Sequence, residues 1–170
     1  MIENLKNDCG TLMTGIKLEY WQDVFREKND LYVIIGEKDT AKKVEAKHEN
    51  AYGFIVDNQD ILLDNIMLGY YDEYKQNRSS MNMGGEKSTK KYLPQIKTED
   101  DIKNNIIPSC INILDVESDN QSYVVFRFVT QLESLGEFSV LTHKNRIVSF
   151  MYTGISDAEN LAKLDMKNKK

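Results

Sequence analysis

Cysteine and histidine are scarce in this chain, at two each, and the scarcity excludes several chemistries. Cys9 and Cys110 fall in different kinds of segment and form no Cys-x-x-Cys pair, so two free thiols are expected rather than a disulfide framework. With only His48 and His143 available, a zinc site would need carboxylate help at spacings that do not occur. No stretch approaches the roughly 18 uncharged apolar residues that span a bilayer. The opening "MIENLKNDCGTLMTGIKLEYW" lacks the basic lead and apolar run of a secretory signal, so the cytoplasm is the expected location, with no membrane partner. The Asn-x-Ser triplets at Asn77 and Asn120 then carry no meaning. Positive charge is also in deficit: 22 Lys and Arg stand against 27 Asp and Glu, a net −5. That balance gives no general pull toward phosphate backbones, and nucleic acid is not an expected partner.

The 170 residues, 41% apolar and 29% charged, suit one globular domain around a single core. In "GIKLEYW", Ile16, Leu18 and Tyr20 alternate with Lys17, Glu19 and Trp21, the period of a half-buried strand. A turn signal at Asn29-Asp30 and the run Val33, Ile34, Ile35 then suggest an N-terminal hairpin. From His48 the period changes. "HENAYGFIV" reads as a short helix, weakened by Gly53. In "NQDILLDNIMLGYYDEYKQN", Leu62, Leu63, Ile66, Met67, Tyr70 and Tyr74 fall on one side of a longer helix, capped by Asp57 or Asn58. The glycine-containing stretch from Asn77 to Lys91 reads as a mobile loop. Thr98 with Asp101 three residues on forms a capping box for a further short helix. Four strands follow, "SCINILDVE", "SYVVFRFVT", "EFSVLTH" and "RIVSFMYTG". The expected fold is α+β: an antiparallel sheet, made of the N-terminal hairpin and a C-terminal four-strand meander, packed against two or three helices. Residues 1–13 and 157–170 are expected to be flexible or frayed.

Several chemical readings meet obstacles. "GGEKST" at Gly84 to Thr89 looks like a phosphate loop, but Glu86 stands where the glycine before Lys87 belongs, and its carboxylate would repel a phosphate. Asp57, Asp60 and Asp64 share a helix face and could hold a hard cation; the solvated side of an amphipathic helix accounts for them more simply. On the same helix, at about 100° per residue, Ile61 and Leu68 fall beside Asp57, Asp64 and Asp72 instead of in the core stripe. Either the pair packs under the hairpin or the short helix, the reading favoured by the pattern, or it is exposed. If exposed, it is a docking patch for a basic protein partner. His48, at a polar helix entry, is expected to be solvated or capping, and His143, at a strand end, to stabilise a turn. No catalytic residue, metal site or cofactor is assigned.

The pieces "DNIMLGYYDEY", "YLPQIKTEDDI", "SYVVFRFVTQ", "LESLGEFSV" and "LTHKNRIVSFMYTGISDA" follow one another in an order that resembles a bacterial family of unknown function. That family carries a C-terminal Trp-Asp-x-Glu-His-Gly-Leu-Gly-Val signature. The signature is degraded here: Leu132-Glu133 stands for Trp-Asp, Leu135-Gly136-Glu137 for Glu-His-Gly, Phe138 for Leu and Ser139 for Gly, while Val140 agrees. A chemical role of the family's Glu-His pair could not be performed by this chain in that way. The resemblance implies a small acidic protein like those beside bacterial toxin genes, which bind and neutralise.

The expected function is therefore a non-enzymatic protein-binding module, immunity-like, acting through Asp57, Ile61, Asp64, Leu68 and Asp72. Two alternatives stay open. One is a hydrolase using His143 with Glu133, Glu137 or Cys110; the other is a structural subunit that self-associates through a sheet edge.

Overall fold

A computed structural model of the chain describes residues 2, 4–8, 11–26, 28–36, 43–77, 96–130, 132, 136–152 and 157–168. The phosphate-loop look-alike, the expected mobile loop beyond Asn77, Cys9 and Glu133 lie outside them.

The strands are β1 (Lys6–Asp8), β2 (Thr11–Ile16), β3 (Leu31–Ile35), β4 (Ile106–Ser118), β5 (Gln121–Thr130), β6 (Glu137–His143) and β7 (Arg146–Met151). The helices are α1 (Glu19–Phe25), α2 (Ala46–Asp57), α3 (Gln59–Asn77), α4 (Glu99–Lys103) and α5 (Ala158–Asn168). The result is a mixed α/β fold whose strands join one seven-stranded sheet in chain order, β1 to β7. Every pairing is antiparallel except β3 with β4, which run parallel with Tyr32 opposite Cys110 and Ile35 opposite Ile113. Parallel neighbours need a long crossover, and α2, α3 and α4 lie in that connection.

The N-terminal hairpin is the main correction to the sequence reading. The end of its expected first strand, Tyr20 and Trp21, lies on α1, so β2 and β3 pair across a helix rather than a tight turn. The alternation of Ile16, Leu18 and Tyr20 misled because α1 has seven residues, too few to display a helical period. Tertiary bonds hold it instead: the Trp21 indole donates to the Gln59 carbonyl at 2.7 Å, and the Tyr20 amide donates to Gln59 Oε1 at 2.9 Å. Both bonds reach the first residue of α3. The short and the long helix expected from the sequence meet at Asn58, with Asp57 ending α2 and Gln59 beginning α3.

One face of the sheet is covered by α1, α2, α3 and α4, and Leu62, Leu63, Ile66, Met67, Tyr70 and Tyr74 of α3 are all buried in that core. Aromatic rings link the layers. Tyr70 stacks on Phe138 of β6 with centroids 3.9 Å apart, Phe138 lies 5.0 Å from Phe128 of β5, and Phe128 lies 6.0 Å from Trp21. The other face carries Leu114, Tyr123, Val125, Leu141 and Met151, packed with Ala158 and Ala162 of α5. Asp165 pins that helix by accepting from the Tyr123 hydroxyl at 2.8 Å and the Arg146 guanidinium at 2.5 Å. The segment after Ser156, expected as a frayed helix or tail, thus lies against the sheet in its described part.

Two helical glycines separate packing from propensity. A Cβ on Gly69 would sit 2.7 Å from Ile147 Cδ1 and 3.0 Å from Phe150 Cζ, whereas one on Gly53 meets nothing within 4 Å. Gly69→Val is expected to destabilise the fold by about 1–3 kcal/mol through overpacking against β7. Gly53→Ala is expected to stabilise α2 by about 0.5–1 kcal/mol. Urea unfolding midpoints check both, and equal effects at the two sites would contradict the α3–β7 contact.

Candidate functional site

The buried stripe of α3 determines what the helix shows outward. Ile61 is 47% and Leu68 53% exposed, and Asp64 and Asp72 lie exposed along the same side. The favoured reading of that apolar pair, a second buried contact, is thereby corrected. Neither the N-terminal strands nor α2 covers it, because α1 and α2 pack into the core face of the sheet. Asp57 is exposed too, but it ends α2 and is not on α3. Asp72 is bridged by Lys75 at 2.8 Å, whose ammonium lies 4.2 Å from the Tyr71 ring centre.

A groove of about 510 Å³ opens beside Leu68. Tyr20 of α1, Asp64 and Asn65 of α3, and Glu99, Asp100 and Lys103 of α4 line it with Thr98. The Tyr20 hydroxyl donates to Asp64 Oδ1 at 3.3 Å; burial, and then the Asp64 carboxylate, raise the phenol's pKa and keep it a donor. Lys103 Nζ lies 3.6 Å from Glu99, 3.9 Å from Asp64 and 3.9 Å from Asp100. One ammonium thus stands among three carboxylates. The expected capping box positions this wall: Thr98 Oγ1 accepts from the Asp101 amide at 3.3 Å, and Asp101 accepts from the Thr98 amide at 2.9 Å. Sequence reading found α4 but not its place opposite Leu68, so Tyr20, Glu99, Asp100 and Lys103 were missed. The capping box marks where a helix starts and says nothing of its neighbour.

The histidines lie elsewhere. His143 is buried, with its ring 4.5 Å from that of Tyr123 and Nε2 donating to the Ser118 carbonyl at 3.0 Å. Glu137 is at the other end of β6, roughly 20 Å along the strand at ~3.3 Å per residue, and is paired with Arg127 at 3.2 Å. Cys110, a free thiol, contacts Arg127 Nη1 at 3.8 Å. Its register runs through Arg127 to Ser139, four residues short of His143 on β6. The geometry therefore brings neither Glu137 nor Cys110 to His143. Glu133 lies outside the described residues.

His48 is capping, as expected, but not solvated: it is 1% exposed. Its Nδ1 accepts from the Glu45 amide at 3.1 Å, which leaves the proton of the neutral ring on Nε2, 3.1 Å from Asp115 Oδ1. Both ring nitrogens are thus engaged. Burial lowers the imidazole's pKa, with the Asp115 carboxylate pulling the other way.

Among the described residues no group of three or more His, Cys, Asp or Glu is placed to hold a metal ion, so the trio Asp57, Asp60 and Asp64 does not converge. No helix among them is long and apolar enough to cross a membrane. In comparisons with known proteins, the family model described as a domain of unknown function (DUF6985) matches residues 9–131. No curated protein and no solved structure matches the chain. The matched span ends before the stretch Leu132 to Val140.

The lowered pKa of His48 has a definite sign for stability. As pH falls, the unfolded chain, with its imidazole near 6.5, binds a proton before the folded chain does. Stability held by the neutral ring is complete above about pH 6.5 and is lost as pH falls through the lower folded value. Urea midpoints measured from above neutral pH down to about pH 5 are expected to fall, and less steeply in His48→Gln. An unchanged slope in that variant would mean that other groups carry the acid sensitivity.

Proposed function

The chain belongs to the DUF6985 family, a domain of unknown function, and since that membership names no activity, we propose from the geometry that it is a non-enzymatic protein-binding module. In this reading the outward face of α3 engages a basic protein, with Ile61 and Leu68 as apolar anchors and Asp57, Asp64 and Asp72 around them. The exposure of Ile61 and Leu68 carries the proposal. Two large aliphatic side chains half in water, seven residues apart on one helix face, form an apolar stripe edged by carboxylates. Such an arrangement combines area for burial with a charge pattern that selects the partner and speeds encounter. The chain's net charge of −5 acts in the same direction.

A partner that works by capture alone fits a bacterial, cytoplasmic, immunity-like role, in which a basic toxic protein is held and neutralised. The hydrolase alternative gains nothing from Glu137 or Cys110, which lie away from His143, and the His143 Nε2 is bonded to the Ser118 carbonyl. Nor does His48 offer a free base, since both its ring nitrogens are occupied within the fold.

The test is quantitative capture from lysate of the source cells with tagged wild-type chain, Ile61→Asp and Leu68→Asp. A basic protein enriched by the wild type is expected to fall about tenfold or more with either substitution, the loss of one well-packed anchor. Because both side chains are exposed, the variants should stay folded, losing about 0.5–1.5 kcal/mol of unfolding free energy to poorer helix propensity and to like-charge neighbours such as Asp64 and Asp72, four residues either side of Leu68. Equal capture by all three proteins would remove the α3 face from the function.

A further inference from the structure

We infer that the occupant of this face is a basic amphipathic helix of the partner protein, lying along α3; the inference rests on the protein-binding reading above and specifies its ligand. Ile61 and Leu68 are separated by seven residues, about 10.5 Å along the helix axis and within about 20° of one another around it. That spacing matches successive anchor positions on a partner helix, which recur every two turns. The interior backbone of α3 has its amides and carbonyls bonded within the helix, so this surface cannot add an extended peptide as another strand. Recognition here has to run through side chains.

Charge chooses which helix. Asp64 and Asp72 lie along the same side of α3, and Glu99 and Asp100 line the groove with Asp64 and Leu68. Lysine or arginine beside an apolar ridge would meet Asp64, Glu99 and Asp100 at the groove, and Asp72, which Lys75 bridges, along the helix. The groove beside Leu68, about 510 Å³, has room for a long side chain. Lys103 already sits in it within 3.6–3.9 Å of three carboxylates, so the chemistry of the groove accommodates a cationic head. A second copy of this acidic chain would bring carboxylates against carboxylates and fits less well.

The probe is a fluorescein-labelled, side-chain-stapled helical peptide of about five turns, with leucines in one stripe and arginines on both flanks. A stapled peptide of the same composition, with the leucines scattered around the helix, is the control. Fluorescence anisotropy is expected to show the striped peptide binding at least about tenfold tighter than the control, a difference of about 1.4 kcal/mol. Ile61→Asp and Leu68→Asp should each abolish that advantage, and added salt should weaken both peptides. Equal affinity of the two peptides would overturn the inference, as would an advantage untouched by both substitutions. Self-association of the protein that disappears in Leu68→Asp would overturn it as well, by naming a second copy as the occupant. If a lysate partner still depends on Ile61 and Leu68 while the two peptides bind alike, the helical ligand is wrong and the protein-binding reading stands. If neither capture nor peptide binding responds to the substitutions, both fall.

Discussion

The stack of Tyr70 on Phe138 sets the rotation of α3 about its own axis, and most of what the molecule presents to its surroundings follows from that rotation. Six α3 side chains, Tyr70 among them, are buried in the core. At roughly 1.5–3 kcal/mol for each fully buried apolar side chain, turning the helix to hide Ile61 and Leu68 would forfeit on the order of 10 kcal/mol. Gly69 reinforces the same rotation, because it lets α3 approach Ile147 and Phe150 of β7 closer than any side chain would allow. Exposure of the apolar pair is therefore imposed by the core and needs no local cause.

A second set of constraints gathers at the far end of the β4–β5 pair. Asp119 and Asn120 both have positive φ, as a two-residue hairpin turn requires. Around that turn converge His48 on Asp115, Lys47 on the Asp115 carbonyl, Asn50 on the Asn120 carbonyl, His143 on the Ser118 carbonyl and Lys144 on Asp119. The start of α2 and the β6–β7 turn are thus tied to one hairpin tip. Both histidines serve this knot. Buried polar groups of this kind stabilise only while their partners remain in place, which accounts for an imidazole held neutral between an amide and a carboxylate.

What the sequence made legible follows from the length and regularity of each element. The α3 stripe was readable because 19 residues display five turns of a 3.6-residue period. The Thr98 box was readable because capping is local chemistry, and the last four strands because alternation and short polar turns delimit them. The failures share a cause. α1 is too short for periodicity, and its helical state depends on bonds from Tyr20 and Trp21 to Gln59, 39 and 38 residues away. The parallel β3–β4 pairing and the burial of His48 likewise depend on partners distant in sequence. At the candidate site, the residues on α3 were legible and those contributed by α1 and α4 were not, because no local pattern says which helices become neighbours.

Within the α3 face, the apolar pair differs from its polar neighbours in taking no part in the bonds that join α3 to other elements. Asp64, Tyr20 and Lys103 tie α1 and α4 to α3, and Asn65 reaches the Asn145 carbonyl at 3.1 Å, so the polar residues around the stripe are partly structural. Ile61 and Leu68 have no such excuse. Isoleucine is a weaker helix former than the lysine, glutamate or glutamine that would keep this position wet. Packing does not call for either residue, since the core stripe is already complete without them. Leu68, by contrast, suits a helix by propensity, so what marks the two is the aliphatic surface they leave half in water among carboxylates, beside an open groove.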